Sequence, residues 1–323
     1  MKEEITVSVL CAAFNHEKYI QKCLEGFIMQ KTKFKFEVLI NDDCSSDNTV
    51  QIIREFEERY PEIIKPIYQT ENQYSQGVKI IEQVLLPLAQ GEYIAICEGD
   101  DFWTSENKLQ LQVEAMQANP DCKMCLHKVQ SYYENMQKEE FYPPFSIGTG
   151  AIESYKFVEI TNGYVFQTSS YFFDAKTFKE FANENPAFSK NSPVGDVCSL
   201  LYFANKGPVY YIDKTMSCYR RFSEGSWSQK MMTAEKHVWL GYAERICKTY
   251  EDYDEYTNGK FHVLMLVRIY TTKKQYKKIA FSKELREWRK RKTIRKRLLF
   301  VAKALSPRLT EKILKKYREK HEC

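Results

Sequence analysis

Short apolar runs alternate with amphipathic segments through the first hundred residues. Four runs have strand length, and between them apolar residues recur every three or four positions, which is the spacing of a helix with one buried face. The predicted strands are Ile5–Leu10, Phe36–Ile40, Ile63–Tyr68 and Tyr93–Cys97. This βαβαβαβ order predicts right-handed crossovers and an α/β fold with a mostly parallel sheet flanked by helices.

The second half of the chain is less regular. Further strands are predicted at Met124–Tyr133, Tyr164–Phe173, Val209–Ile212 and Met216–Tyr219. Helices are predicted at Val78–Ala89, Asn107–Ala118, Gly195–Gly207 and Ser282–Leu305. Since only helical patterns follow Thr233, we expect two domains, residues 1–230 with the sheet and residues 231–323 as a helical, basic C-terminal region.

Carboxylates follow two of the predicted strands. Asp42 and Asp43 end the second strand, and Glu98, Asp100 and Asp101 follow the fourth. Aspartates often serve in turns and helix caps, which is the alternative interpretation. However, parallel strands bring their carboxyl ends to one edge of the sheet, where ligands of α/β proteins bind. Two unrelated caps would meet there only by coincidence, so the pattern favours a ligand site.

A hard divalent cation would relieve the repulsion among these carboxylates. At the surface lip of a buried strand, full ionisation of neighbouring carboxyl groups is costly without compensation. Oxygen ligands suit Mg²⁺ or Mn²⁺ rather than zinc, with phosphate oxygens completing the coordination. The first strand is not followed by G-x-G-x-x-G, and the chain contains no Walker A sequence, so neither a dinucleotide nor a P-loop is indicated.

Charge and cysteine content restrict the class of protein. The 323 residues carry a net charge of +5, but fourteen Lys or Arg against two Glu lie between Lys273 and Lys303, so the rest of the chain is acidic by about −7. Ten cysteines at irregular spacing indicate buried thiols in a reducing cytosol. We expect neither a signal peptide nor a membrane-spanning helix.

Four motifs together resemble a known family. Val7–Asn15, Asn41–Thr49, Cys97–Trp103 and Met216–Ser228 resemble the bacterial inverting glycosyltransferases of the GT-A fold, which are family 2-like. The similarity covers residues 5–228 and is strongest to a subgroup that builds capsular, O-antigen or lipooligosaccharide chains. It implies a GT-A-type (Rossmann-like) central sheet with a C-terminal helical appendage.

The resemblance also implies where a nucleotide-sugar donor would bind. Ala12 and Phe14 would border the base, and Asp43 would hydrogen-bond its ring nitrogen. The donor site would be completed by Trp227, which is expected to wall the sugar pocket.

The carboxylates after the fourth strand receive separate roles from the resemblance. Asp101 would bind the metal, Mn²⁺ or Mg²⁺. Asp100, with Glu98, would hold the ribose and orient the diphosphate. Asp196 lies where the family places its general base, although an Asp after Gly at a helix start is also typical of an N-cap.

One departure concerns the segment that closes over the donor. Phe222 stands where relatives often have a histidine that reaches the metal or diphosphate. Arg220 or Arg221 could neutralise phosphate instead, because guanidinium groups match phosphate oxygens. Both arginines are equally compatible with exposed strand positions.

The implied function is transfer of a sugar from a nucleotide-diphosphate sugar, expected to be UDP-linked, to a saccharide or lipid-linked acceptor with inversion. Such an enzyme would act in cell-surface polysaccharide synthesis. A metal-dependent nucleotidyltransferase and a non-catalytic nucleotide or nucleic-acid binding protein are the alternatives. The acidic main domain argues against nucleic acid as a partner. The basic helix at Ser282–Leu305 predicts an anionic membrane surface as a partner, and hence a cytoplasmic protein peripheral at the inner face of the bacterial membrane.

Overall fold

The structure is a computed structural model that describes residues 4–133, 140–161, 166–223, 226–307 and 310, without the side chain of Trp227. The chain forms two compact units. The first contains residues 1–185 and 199–234, and the second contains residues 186–198 and 235–323. The predicted division into residues 1–230 and 231–323 stays a prediction.

One sheet runs through the first unit. Its described strands are β1 Ile5–Ala13, β2 Lys35–Asp42, β3 Ile64–Tyr68, β4 Tyr93–Ile96, β5 Phe102–Trp103, β6 Met124–Tyr132, β7 Glu140–Tyr142, β8 Gly150–Ile152, β9 Phe172–Asp174 and β10 Val209–Arg220. The spatial order is β3-β2-β1-β4-β9-β6-β10-β5, with β7 beside β6 and β8 beside β10. The first four strands are parallel, as predicted, and β9 joins this half antiparallel to both β4 and β6.

Helices flank this sheet. Those of the first unit are α1 Ile20–Ile28, α2 Thr49–Arg59, α3 Lys108–Ala118, α4 Ser154–Ile160 and α5 Ala175–Glu184, and the second unit begins with α6 Ala187–Lys190. Next come α7 Gly195–Lys206, whose first four residues belong to the second unit, and α8 Trp227–Met232 in the first unit. Apolar side chains of α1 and α2 pack on β1 and β2, which explains their helical periodicity.

The remaining helices belong to the second unit. They are α9 Lys236–Tyr256, α10 His262–Thr272, α11 Tyr276–Phe281, α12 Arg286–Lys290 and α13 Ile294–Leu305. The single helix predicted over Ser282–Leu305 is therefore wrong. The chain breaks before Thr293, whose hydroxyl caps α13 by accepting a hydrogen bond from the amide of Lys296. No helix in the described ranges is long and apolar enough to cross a bilayer.

Three other predicted elements differ from the structure. Val78–Ala89 is a π-helical turn at Ile80–Leu85 and a 3₁₀ turn at Leu86–Leu88, where Pro87 has no N–H to continue an α-helix. The two strands predicted between Val209 and Tyr219 are one strand, β10, with register shifts near Thr215. The strand predicted at Tyr164–Phe173 begins only at Phe172, and residues 162–165 lie outside the described residues.

A buried polar link aligns the starts of β1, β2 and β4. The Ser8 hydroxyl donates to Glu37 at 2.6 Å and accepts from the amide of Gly91 at 2.8 Å. A Cβ at position 91 would lie 2.4 Å from the amide nitrogen of Ser8, so only glycine permits this approach. The link fixes which residues of the three strands lie side by side.

A lysine is buried in the core of the first unit. The Lys108 ammonium donates to the Gln112 side chain at 2.7 Å and lies 4.0 Å above the Trp103 ring. Burial lowers the pKa of Lys108 to about 7. The unfolded chain therefore binds more protons than the folded chain between about pH 7 and pH 10.

Stability is consequently expected to rise with pH in this window, by up to about 1.4 kcal/mol per pH unit from this group. Lys108→Met removes the titrating group, so its free energy of unfolding should lack that rise. Urea denaturation of both proteins from pH 6.5 to 9.5 measures the difference, and Lys31→Met, at an exposed ion pair with Glu106, is the control. Parallel curves for wild type and Lys108→Met would contradict the expectation.

Candidate active site at the carboxyl ends of the strands

The carboxyl ends of β2 and β4 meet at the end of β1, as the sequence predicts. β1 pairs in parallel with both strands. The Ala13 carbonyl accepts from the amide of Asp43, and the Ala12 carbonyl accepts from the amide of Gly99, each at 2.9 Å. Successive residues of β1 therefore hydrogen-bond to Asp43 and to residues 98–101, which are called the acidic segment below. These bonds hold the two strand ends together at one edge of the sheet.

Asp43 is buried and anchors a loop. Its two carboxylate oxygens accept hydrogen bonds from the backbone amides of Gln73 and Tyr74, at 2.8 and 3.0 Å. The Asn72 side chain donates to the Asp43 carbonyl at 3.2 Å. No local pattern in the sequence predicts that this loop is organised around Asp43. The contact of Asp43 with a nucleotide base stays a prediction.

Asp101 is buried, with 1% of its surface exposed. The expectation of a carboxylate at the surface lip of the strand is therefore wrong for this residue. Its Oδ1 atom accepts from the backbone amide of Arg220 at 2.8 Å, whereas its enclosed Oδ2 atom has no hydrogen-bond partner among the described residues. Burial raises the pKa of Asp101 well above its usual range, and the nearby Asp100 and Glu98 raise it further.

Asp100 and Glu98 lie on either side of Gly99 and differ in exposure. Asp100 is partly buried, and its Oδ2 atom accepts from the Ser223 hydroxyl at 2.8 Å. Glu98 is exposed, and the Thr168 hydroxyl approaches its Oε2 atom at 3.5 Å. Both carboxylates are thus next to Asp101 and accessible to a ligand from the strand ends.

Arg220 is buried among aromatic rings. Its guanidinium lies 4.7 Å from the ring centroid of Tyr19, 5.3 Å from that of Phe102 and 5.2 Å from that of Tyr132. Its Nε atom donates to the Asp100 carbonyl at 2.8 Å. Of the two interpretations of this residue, an exposed strand position is wrong, and the structure places a cation beside the acidic segment.

Arg221 points to different partners. Its guanidinium donates to the hydroxyl of Tyr133 at 2.7 Å and to that of Tyr142 at 3.2 Å, and it forms an ion pair with Glu140 at 3.3 Å. Phe222 follows in the left-handed backbone region, with φ 61°. Of the two arginines, Arg220 is therefore the one in contact with the acidic segment.

His16 is a site residue that the sequence reasoning missed. Its Nδ1 atom is enclosed without a partner in the described part of the chain, and a Cβ on Gly99 would approach that atom to 2.7 Å. Burial lowers the pKa of His16, against the opposing charges of Asp100 and two further aspartates. The available signal was its position two residues after Phe14, directly beyond the end of β1.

Three further residues were predicted to bind the nucleotide-sugar donor, and the structure describes the side chains of two of them, Ala12 and Phe14. Ala12 is partly buried in β1, and Phe14 follows it with 44% of its surface exposed, as a ring available for stacking would be. Trp227 is the first residue of α8, but its side chain lies outside the described residues. Its role at the sugar pocket stays a prediction.

Asp196 lies in the first turn of α7, in a part of the helix that belongs to the second unit. Its Oδ1 atom accepts from the adjacent amide of Val197 at 2.7 Å. Burial raises the pKa of Asp196, which brings it nearer to that of a general base working close to neutral pH. Its catalytic role stays a prediction.

A divalent cation site near Asp101 would need ligands from a bound substrate as well as from the protein. Within the described ranges, no group of three or more His, Cys, Asp or Glu side chains is arranged to hold a metal. Mg²⁺ sites often use one or two carboxylates together with substrate phosphates, however. The Asp101 Oδ2 atom is a carboxylate oxygen without a partner among the described residues, so its chemistry fits a metal that is also bound by the phosphates of a ligand. Metal binding by Asp101 stays a prediction.

Comparison with known proteins places this site in a family. The model of "Glycosyl transferase family 2" matches residues 8–175, which is more than half of the chain and contains both acidic strand ends. The structure is similar to that of Staphylococcus aureus TarS 1–349 in complex with UDP-GlcNAc, with a TM-score of 0.62 and 17% sequence identity over 88% of this chain and 78% of that one. This similarity confirms the predicted GT-A-type fold.

Curated relatives include the uncharacterized protein Rv1520 of Mycobacterium tuberculosis. It is 34% identical over 225 residues, which cover 68% of this chain and 60% of the relative. The Escherichia coli glucosyltransferase WfgD is 29% identical over 117 residues, 36% of this chain and 43% of that protein. The matched part thus spans at most about 60% of these relatives. With the family model matching across the strand-end carboxylates, the chain belongs to glycosyl transferase family 2.

Proposed function

We propose that the protein transfers a sugar from a nucleoside-diphosphate sugar, with UDP as the expected nucleotide, to a saccharide or lipid-linked acceptor in cell-surface polysaccharide synthesis. The observation that carries the proposal is the group of carboxylates around Asp101 beside the buried Arg220. The printed names of relatives support it, since WfgD is named a UDP-Glc:α-D-GlcNAc-diphosphoundecaprenol β-1,3-glucosyltransferase and TarS was solved with UDP-GlcNAc.

The donor would lie across the strand ends. Phe14 and Ala12 would border the base. Asp43 would accept a hydrogen bond from the base while it holds the loop at Gln73 and Tyr74. Glu98 and Asp100 orient the ribose and diphosphate. The positive charge of Arg220 next to Asp100 counters the repulsion between these carboxylates and the phosphates.

Transfer would follow one direct displacement, which inverts the anomeric configuration. The acceptor hydroxyl attacks the anomeric carbon while Asp196 takes its proton. A Mn²⁺ or Mg²⁺ ion held by Asp101 would supply Lewis-acid stabilisation of the departing diphosphate.

The experiment is a panel of nucleotide sugars with and without Mn²⁺. Thermal shift identifies the donor that binds, and release of nucleoside diphosphate measures its turnover. A nucleotidyltransferase would instead release pyrophosphate from a nucleoside triphosphate, and a non-catalytic binding protein would release nothing. Binding of a donor with release of its nucleoside diphosphate supports the proposal, and pyrophosphate release or no turnover with any donor and acceptor sugar contradicts it.

A membrane surface is the partner proposed for the C-terminal region, which would place the protein at the inner face of the bacterial membrane. On α13, the apolar side chains of Ile294, Leu298 and Leu305 are 71%, 64% and 75% exposed and recur at helical spacing. Exposed arginines and lysines neighbour them on the same helix. Each cation near an anionic leaflet contributes about 1 kcal/mol, so this combination fits an interfacial helix.

Co-sedimentation of the full chain with vesicles is expected to rise with the phosphatidylglycerol content and to fall with added salt. Leu298→Glu places a carboxylate in the apolar row and should reduce the bound fraction severalfold. Leu88→Glu, at a half-exposed leucine of the first unit, is the matched control. If the full chain does not bind anionic vesicles at low salt, the membrane partner is excluded. If Leu298→Glu binds them as well as wild type does, the apolar row of α13 is not the part of the chain that contacts the membrane.

A further inference from the structure

A cleft in the second unit lies outside the strand-end site. It has a volume of about 370 Å³ and is lined by side chains of α9, α10 and α11 and of the turn between the last two. Pockets for small ligands commonly have about 300–1,000 Å³. The cleft is thus large enough for a ligand the size of one or two sugar rings.

A histidine–aspartate pair stands at one side of the cleft. The Nδ1 atom of His262 lies 2.6 Å from the Oδ2 atom of Asp254. Since a carboxylate only accepts, Nδ1 is the donor, and the neutral ring keeps Nε2 as an acceptor. The Oδ1 atom of Asp254 is enclosed and has no hydrogen-bond partner among the residues that the structure places. The Asp254 side chain is 23% exposed, so Oδ2 is the oxygen of this carboxylate that a ligand hydroxyl in the cleft can reach.

The charges that line the cleft balance. Glu251 and Asp254 provide two carboxylates, and Lys273 and Lys278 provide two ammonium groups. Glu251 and Lys273 form an ion pair at 3.7 Å. A cleft without net charge, in a region that is otherwise strongly basic, does not favour a phosphate or another polyanion. It favours a neutral ligand that both donates and accepts hydrogen bonds.

Apolar surface completes the lining. Met265 and Ile269 are buried beneath the cleft, and Tyr270 adds an aromatic ring over which the Lys278 ammonium lies at 5.0 Å. A sugar ring has an apolar C–H face as well as hydroxyl groups at its edge. Such a ligand can pack on the apolar lining while its hydroxyls meet the carboxylates and lysines.

We propose that this cleft is an accessory saccharide-binding site for the sugar chain of the acceptor. The choice of an acceptor saccharide rests on the proposed function, whereas the neutral, amphipathic character of the ligand rests on the cleft itself. Asp254 and His262 would accept hydrogen bonds from hydroxyls, and Lys273 would donate to them.

The test is saturation-transfer NMR and calorimetry on the full chain with two probes, chitobiose and cellobiose. We expect at least one of them to bind, and Asp254→Asn to weaken that binding by about tenfold or more. Leu266→Trp places a larger side chain in the cleft and should abolish disaccharide binding. This variant replaces Asp254→Asn in the test if Asp254→Asn does not fold. Lys248→Gln is the matched control, because Lys248 pairs with Asp252 on the same helix and does not line the cleft.

The outcomes separate this inference from the proposed function, because binding is measured without turnover. Donor turnover without binding of either disaccharide overturns the saccharide site and leaves the proposed function standing. Disaccharide binding that the cleft variants weaken supports the site even if no donor turns over. Binding that Leu266→Trp leaves unchanged, or binding of UDP in the cleft in place of both disaccharides, overturns it.

Discussion

Asp101→Asn is expected to lower metal-dependent turnover by about a thousandfold, since loss of a metal's charge stabilisation removes several kcal/mol from the transition state. The fold should remain, and the melting temperature without metal should equal or exceed that of wild type. The reason is that an asparagine oxygen still accepts from the Arg220 amide, while the carboxyl group whose ionised form burial penalises is removed.

Donor turnover and melting temperature, measured on the same preparation at saturating Mn²⁺, check this result. Asp213→Asn is a suitable control, because Asp213 accepts from Ser146 and pairs with Lys128 in the same unit without touching the acidic segment. Turnover of Asp101→Asn close to that of wild type would show that Asp101 does not hold a metal.

Asp196→Asn is expected to lower kcat by about 10²- to 10⁴-fold while leaving the donor Kd unchanged, because a general base acts in the transition state and not on the bound nucleotide. The Val197 amide keeps an acceptor in this variant, so the start of α7 should be preserved. Single-turnover rates and donor binding by calorimetry measure the two quantities separately.

The pH dependence of kcat is a second test of whether Asp196 is the general base. A base is active when deprotonated, and burial raises the pKa of Asp196, so the acidic limb of the wild-type kcat profile should lie above the ordinary aspartate range. That limb should disappear in Asp196→Asn. A variant that loses donor affinity but keeps its kcat would make Asp196 a binding or helix-terminal residue.

The sequence determined the parallel half of the sheet and the location of the site. Apolar runs at β1, β2 and β4 are long enough to be buried and are separated by helices, which leaves parallel pairing as the arrangement that local patterns support. From this pairing alone, Asp43 and Asp101 had to come to the same edge, and the family motifs at these strand ends carry the same information.

Only the tertiary structure decided what those residues contact. Asp101 and Arg220 are 119 residues apart in the chain, and no local pattern encodes that the amide of one meets the carboxylate of the other. The same holds for Asp43 and the loop amide of Gln73, which are separated by 30 residues. The burial of Asp101 follows from such long-range packing, and so does its raised pKa.

The places where predicted helices are interrupted also separate what local sequence determines from what tertiary structure decides. Hydrophobic periodicity continues through Pro87 and across residues 282–305, so it predicts helices there, although the backbone at both places departs from one continuous α-helix. Hydrophobic periodicity shows which face of a segment is apolar, whereas hydrogen bonding and packing decide where a helix ends. Local sequence therefore determined strands β1 to β4 and the acidic residues at their ends, and the long-range contacts that only the folded chain makes decided which of those acidic residues are buried and which residues they contact.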